Sequence, residues 1–308
     1  MGTTAAAHFR AMGSDVHILV VGGPPSLLDE ARELVETLEA RWSRFRPDSE
    51  VSRLNQQAGR PVRVSPDTLK LVGRALHGAG VTAGHYDPTV LGAVLRAGYD
   101  RSFELLPNDP PPGRSPLRLG WRRIAVDHAR STVTLPPGVG FDPGGIGKGL
   151  AADLLVRRLL ARGAAGACAN LGGDLRVDGD APAGGPWVVD IGHPLRREPA
   201  ATIGLRRGAV ATSSRVRRAW GPYRDRHHLI DPVTGHPART GLATATVVAA
   251  EGWQAEVLAK AAFLAGIPEG LRLLAATGAD GLLVDDQGSP HQSAGFGRFT
   301  RRVRERAG

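Results

Sequence analysis

The stretch Phe141-Asp142-Pro143-Gly144-Gly145-Ile146-Gly147-Lys148-Gly149-Leu150 limits what this chain can fold into more than any other part of it. Four glycines in six positions remove the Cβ atoms that hold neighbouring groups away from a backbone. An amphipathic run follows at once, with Leu150, Leu154, Leu155, Leu159 and Leu160 on helical spacing and Gly163 as a stop. The pattern predicts a glycine loop that opens a helix. Free N–H groups at a helix start favour anions, so a phosphate or pyrophosphate is the expected ligand. The spacing matches neither the P-loop nor the dinucleotide fingerprint, and a loop of this kind alone is more often only a tight turn.

Length and charge narrow the context. With 308 residues the chain can bury a sizeable core. No apolar run reaches the roughly 18 residues that cross a bilayer, and Met1 to Met12 has neither a basic start nor an apolar stretch of signal-peptide type. The expectation is a cytoplasmic protein with no membrane partner. Cys168 is the only cysteine, which excludes an internal disulfide framework and a cysteine-based zinc site. The net charge of +9 raises nucleic-acid binding as a possibility. The arginines are scattered, however, through Arg157-Arg158, Arg206-Arg207, Arg217-Arg218 and a basic tail at about 297–308, with few aromatics between them. That distribution argues against a nucleic-acid partner. Of the 39 basic residues only Lys70, Lys148 and Lys260 are lysines, so a lysine here marks a place where a compact ammonium has a use.

Taken in order, residues 8–21 alternate as a strand and Gly22-Gly23-Pro24-Pro25 ends it. Ser26 with Asp29 resembles a capping box for a helix through Trp42. Residues 45–55 read as a polar connection, Ser65-Pro66 opens a helix to about Ala83, and the prolines of 100–120 make a surface loop. Two short strands occupy 121–139. Beyond the helix that follows the glycine loop, strands are expected at 167–171, 175–177, 187–191, 201–205, 209–212 and 244–249. Helices at 254–265 and 269–277 and a last strand at 281–285 complete the chain. Short strands in runs, mixed with helices, predict an α+β fold with mixed and antiparallel sheets around one pocket, in one domain over 1–308.

Asp87, Asp142 and Asp231 each precede proline, a routine turn start that also suits gripping hydroxyls and ring N–H groups of a nucleotide. His227 and His228 are adjacent, so on a strand their side chains point to opposite faces and only one enters a given pocket. Glu256 and Lys260 are four apart on a helix, Glu first, the favourable order for an ion pair. Their neighbours Ala255, Leu258, Ala259, Ala261, Ala262 and Phe263 are apolar, so the pair is expected to face a site rather than solvent.

Eight motifs in order carry a resemblance. Met12-Gly13, the segments 45–50 and 86–90, Asp142 to Asp153, Asn170-Leu171-Gly172-Gly173-Asp174, Ala211-Thr212-Ser213, His228 to Gly235 and Ala255 to Gly266 together resemble the FAD:protein FMN transferases, the ApbE-like family. The match runs in register from about residue 8 to 286. It implies an enzyme that binds FAD, cleaves its pyrophosphate with Mg²⁺, and passes FMN to a Ser or Thr of a target flavoprotein, releasing AMP, as a monomer or homodimer. By matched position it implies FAD contacts at Met12, Phe45, His85, Tyr86, Asp87, Asp142, Lys148 and Ile230, with His228 as base on the target hydroxyl.

At the metal positions the chain departs from that pattern. The resemblance implies an Asp carboxylate, a Thr hydroxyl and a glycine-loop carbonyl, here that of Gly145, around Mg²⁺, but Glu256 stands at the Asp position and Lys260 at the Thr position. A protonated lysine is not a metal ligand. The expectation is that the Lys260 ammonium occupies roughly the metal's place, paired with Glu256 and near the Gly145 carbonyl. The alternative reading is a carrier or sensor that keeps the FAD pocket without the chemistry.

Overall fold

The computed structural model describes residues 3–301; residues 302–308 of the basic tail lie outside them. Strands β1 (Thr4–Ala11) and β2 (Ser14–Val21) form a hairpin, followed by helices α1 (Leu27–Trp42) and α2 (Glu50–Gln56), strand β3 (Pro61–Arg63), and helices α3 (Pro66–Val81) and α4 (Leu91–Arg96). Next come β4 (Ala125–Asp127), β5 (Thr132–Thr134), α5 (Gly147–Ala161), β6 (Gly166–Leu171) and β7 (Asp174–Gly179). The remainder is β8 (Trp187–Gly192), β9 (Pro199–Leu205), β10 (Gly208–Ser214), β11 (Ala219–Trp220), β12 (Arg226–His227), β13 (Leu242–Ala249), α6 (Gly252–Ala265), α7 (Ile267–Thr277), β14 (Asp280–Asp285) and β15 (Pro290–Gln292).

The architecture is α+β. Its main sheet has the order β1-β2-β6-β7-β10-β13-β14-β15, every pair antiparallel. Strand alternation sorts its residues into two cores. Ala209, Ala211, Ala245 and Val247 pack under α6 and α7, while Val210, Val248, Leu282 and Val284 face the other way, onto the β8–β9 ribbon. Val16, Ile18, Ala167 and Ala169 continue the helix-side core under α1 and α5. Alanines on the central strands let α6 lie close to the sheet, which is why its own sequence is alanine-rich.

Four expectations change. Residues 8–21 are a hairpin, broken by a two-residue turn in which Met12 and Gly13 have φ of 51° and 61°. Methionine is a rare occupant of that region, so no turn signal marked it. Ser26 makes no capping bond to the backbone; its Oγ lies 3.3 Å from Glu30 Oε1. The connection at 45–55 contains α2, capped by Ser49, whose Oγ accepts the Ser52 N–H at 3.0 Å. The strand at 280–285 is followed by one more, β15.

Candidate active site

Helix α6 is buried on all sides from Trp253 to Phe263 apart from Gln254, and two neighbours fix where it starts. The Asp153 carboxylate, on α5, accepts the N–H groups of Gly252 at 2.7 Å and Trp253 at 3.0 Å and pairs with Arg176 Nε at 3.3 Å. A carboxylate on a helix start satisfies orphan donors and meets the positive end of the helix dipole. Gly149 and Gly252 then touch. A Cβ on Gly149 would sit 2.2 Å from the Gly252 carbonyl oxygen, so α5 and α6 approach more closely than any side chain permits. Asp153→Asn weakens this cap and the Arg176 pair; urea unfolding is expected to show a loss of about 1–3 kcal/mol.

One and two turns into α6 stand Glu256 and Lys260. Glu256 Oε2 accepts the Gly149 N–H at 2.8 Å and its Oε1 accepts from Lys148 Nζ at 3.0 Å; Lys148 is also bonded to Asp174 at the start of β7. Burial alone would lower the Lys148 ammonium, but Asp174 and Glu256 outweigh it and hold it above the ordinary lysine value. Burial raises the Glu256 carboxyl, Lys148 opposes that, and Asp174 adds to it.

The expected Glu256–Lys260 ion pair is not formed. Among the described residues no carboxylate oxygen lies within 4.0 Å of Lys260 Nζ; the Glu256 carboxylate is drawn to the start of α5 and the Lys260 arm runs to Gly145 instead. A Cβ on Gly145 would sit 2.8 Å from Lys260 Nζ and 2.9 Å from its Cδ and Cε. The glycine loop is therefore built for close approach, since neither Gly145 nor Gly149 has a positive φ. The expected anion site at the helix start is also altered. Two of its N–H groups are already taken by carboxylates, Gly149 by Glu256 and Gly144 by Asp142 Oδ1 at 3.1 Å.

A cleft opens above these residues. It is lined by Met12, Phe45, Asp142, Lys148, Glu256, Lys260 and His228, which the fold gathers from five separate segments. Met12 is fixed there because its N–H donates to Glu39 Oε1 at 2.9 Å. The other four expected contacts do not line the cleft. Tyr86 lies buried with its hydroxyl unpartnered, and burial first, then Glu256, Asp142 and Asp87, raise that hydroxyl well above its ordinary value. Asp87 accepts the Thr89 N–H at 2.7 Å and its hydroxyl at 2.5 Å, so it stiffens the turn. Ile230 packs with Val90, Val94 and Trp220, and His85 lies in the turn before Tyr86.

Arg44 is a cleft residue that the sequence did not single out. Its guanidinium lies 4.1 Å and 4.6 Å from the ring centroids of Phe45 and Tyr99, its Nε is 3.6 Å from Asp142 Oδ1, and its buried Nη2 has no partner. Among so many arginines only its place beside an aromatic and an aspartate distinguishes it, and that is a tertiary fact.

The histidine pair divides at the end of β12, with His227 the last strand residue and His228 in the bend that follows. His227 turns inward, its Nε2 at 3.2 Å from the Ala238 carbonyl oxygen. His228 faces the cleft with a buried Nδ1 that has no partner. Burial, followed by the charges of Lys260, Arg218, His227 and Lys148, lowers the His228 imidazole well below its ordinary value, so it is neutral at pH 7.

A larger polar groove meets the cleft at Gly13, Phe103, Gly144, Lys148, Arg218 and His228. Its floor is the ribbon-side face of the main sheet, including Asn170, Thr212, Ser214 and Thr244. Hydroxyls and an amide on central strands are unusual for a packed sheet face and suit a polar ligand. Among the described residues no helix is long and apolar enough to cross a membrane.

With this geometry in place, comparison with known proteins is direct. The model of the ApbE family matches residues 1–283. An FAD:protein FMN transferase of Treponema pallidum is 31% identical over 294 residues, covering 87% of this chain and 80% of that protein. The crystal structure of the ApbE protein from Thermotoga maritima superposes with a TM-score of 0.88 at 28% identity, covering 97% of this chain and all of that one. The flavin transferase ApbE from Vibrio cholerae gives a TM-score of 0.83 at 26% identity, again with 97% of this chain and all of that one. Nearly the whole sequence and the whole described fold thus agree with one group of proteins, and the chain belongs to the ApbE family.

Proposed function

We propose that this chain is an FAD:protein FMN transferase, with FAD as substrate and a hydroxyl-bearing flavoprotein as acceptor. The observation that carries the reading is the junction of cleft and groove, where a neutral, half-buried imidazole stands beside Lys148 and Arg218. FAD spans the junction in this reading, with Met12, Phe45 and Arg44 against a ring system and its pyrophosphate near Lys148, Asp142 and the glycine loop. Aromatic and thioether surfaces suit a flavin or adenine face, and a donor with no partner suits a ring carbonyl. His85, Tyr86, Asp87 and Ile230 act from behind the cleft, by holding its wall.

The acceptor enters along the polar groove. Its Ser or Thr oxygen attacks the phosphorus on the FMN side, and the new P–O bond forms as the bond to the bridging oxygen breaks. The hydroxyl proton passes to His228 Nε2, since Nδ1 is buried out of the acceptor's reach, and AMP leaves with the bridging oxygen. Neutral imidazole is the form able to take that proton.

The residues present do not fit a divalent cation at the position implied by the family pattern. Both Glu256 oxygens are engaged, one by an ammonium and one by a backbone N–H, and the Lys260 arm fills the space beside Gly145. Among the described residues no three His, Cys, Asp or Glu side chains converge for a metal. No step above is therefore routed through one.

The carrier or sensor alternative is not favoured, because it gives His228 no task. Incubation with FAD and candidate acceptor proteins tests the reading: a covalently fluorescent band with one AMP released per FMN transferred is expected, and tight FAD binding with neither product would overturn it. A pH profile adds a second check. Because the folded protein holds the His228 imidazole below 6.5, its kcat/KM is expected to stay level as pH falls from 8 through 6.5. A loss of half the rate at or above pH 6.5 would contradict the assignment.

A further inference from the structure

Lys148 and Lys260 both reach the cleft, but their charges are differently placed. Lys148 is held between two carboxylates, Asp174 and Glu256, and brings little net positive charge to a ligand. Lys260 is 8% exposed and has no carboxylate within 4.0 Å among the described residues. Burial lowers the Lys260 ammonium from its ordinary value and the more distant charges of Asp142 and Glu256 offset that only in part, so an incoming anion completes the compensation. Such a group is half of an ion pair.

Its position is fixed by its surroundings. The arm springs from a helix that is buried along nearly its whole length and lies on Gly145, where even a methyl group would displace it. The anions that enter this cleft in the proposed reaction are the two phosphates of FAD. We infer that the Lys260 ammonium is the built-in cation of the pyrophosphate site, so that FAD binding and P–O–P cleavage proceed with no divalent ion. The inference rests on the transferase reading and adds to it a specific charge carrier. During attack, negative charge grows on the phosphoryl and bridging oxygens, and a fixed ammonium preorganised beside them stabilises it. A monovalent charge does this less strongly than a divalent ion, so a slow but metal-independent enzyme is expected.

FAD fluorescence titrations of the full chain test this in buffers containing either EDTA or millimolar Mg²⁺, with AMP release followed in parallel. The wild type is expected to bind FAD within about twofold of the same affinity in both and to release AMP in EDTA. Lys260→Met, which keeps the arm and removes the charge, is expected to weaken FAD binding at least about tenfold in both buffers. Unaltered FAD affinity in folded Lys260→Met would overturn the inference. So would wild-type FAD binding or AMP release that rises more than about tenfold on adding Mg²⁺, a result that needs no variant. Wild type that binds no FAD in either buffer would remove the transferase reading itself, and this inference with it.

Discussion

His228→Ala is expected to lower the rate of FMN transfer by about 10²–10⁴, the range that a positioned general base contributes, while FAD affinity stays within a few-fold. The two effects separate because of where the imidazole lies. Its buried Nδ1 has no partner in the protein, so it holds nothing in place that a ligand needs. His227, not His228, ties this segment to the next one through the Ala238 carbonyl. An interaction made only in the transition state lowers kcat and leaves substrate binding alone. Parallel losses in FAD affinity and rate would instead make His228 a binding residue and leave the base unidentified.

Gly149→Ala is expected to cost about 3 kcal/mol or more in chemical unfolding, above the usual range for overpacking, because the obstruction is backbone. The added methyl would lie 2.2 Å from the Gly252 carbonyl oxygen and 2.8 Å from the Trp253 nitrogen. No rotamer relieves it; α5 and α6 must separate. Separation also lengthens the bond from the Gly149 N–H to Glu256, now 2.8 Å, and moves Lys260 relative to Gly145. FAD affinity is therefore expected to fall together with stability. Gly145→Ala provides the contrast, because the atoms nearest its methyl belong to the flexible end of a lysine, and it should weaken FAD binding with a much smaller loss of stability. Equal stability losses in the two variants would contradict this division of labour.

Much of this arrangement was legible in the residues. The glycine loop, the helix after it, the apolar setting of Glu256 and Lys260 and the rarity of lysine all pointed to one cleft, because each is a local pattern with a local cause. The resemblance to FMN transferases added the chemistry, and the family match agrees with it. What escaped depended on partners distant in sequence. The spacing of Glu256 and Lys260 suggested that they pair with each other. Only the fold shows that Glu256 turns to residues 148 and 149, more than a hundred positions earlier. Asp153 is one more acidic residue on a helix until the start of α6 is seen to rest on it. Met12 gave no turn signal, because a non-glycine residue held at positive φ depends on its surroundings, here Glu39. Arg44 was hidden among 36 arginines, 39 basic residues less three lysines, and became visible only as an unpartnered donor inside the cleft.

The central claim is that FAD lies across the junction with its pyrophosphate against the Lys260 ammonium and the phosphorus on the FMN side facing His228. A crystal structure with FAD bound, with an anomalous-scattering check for a metal ion, tests it most directly. The account predicts a phosphate oxygen within hydrogen-bond distance of Lys260 Nζ and no ion between Glu256 and the phosphates. A metal ion coordinated there, with Lys260 swung away from Gly145, would contradict it.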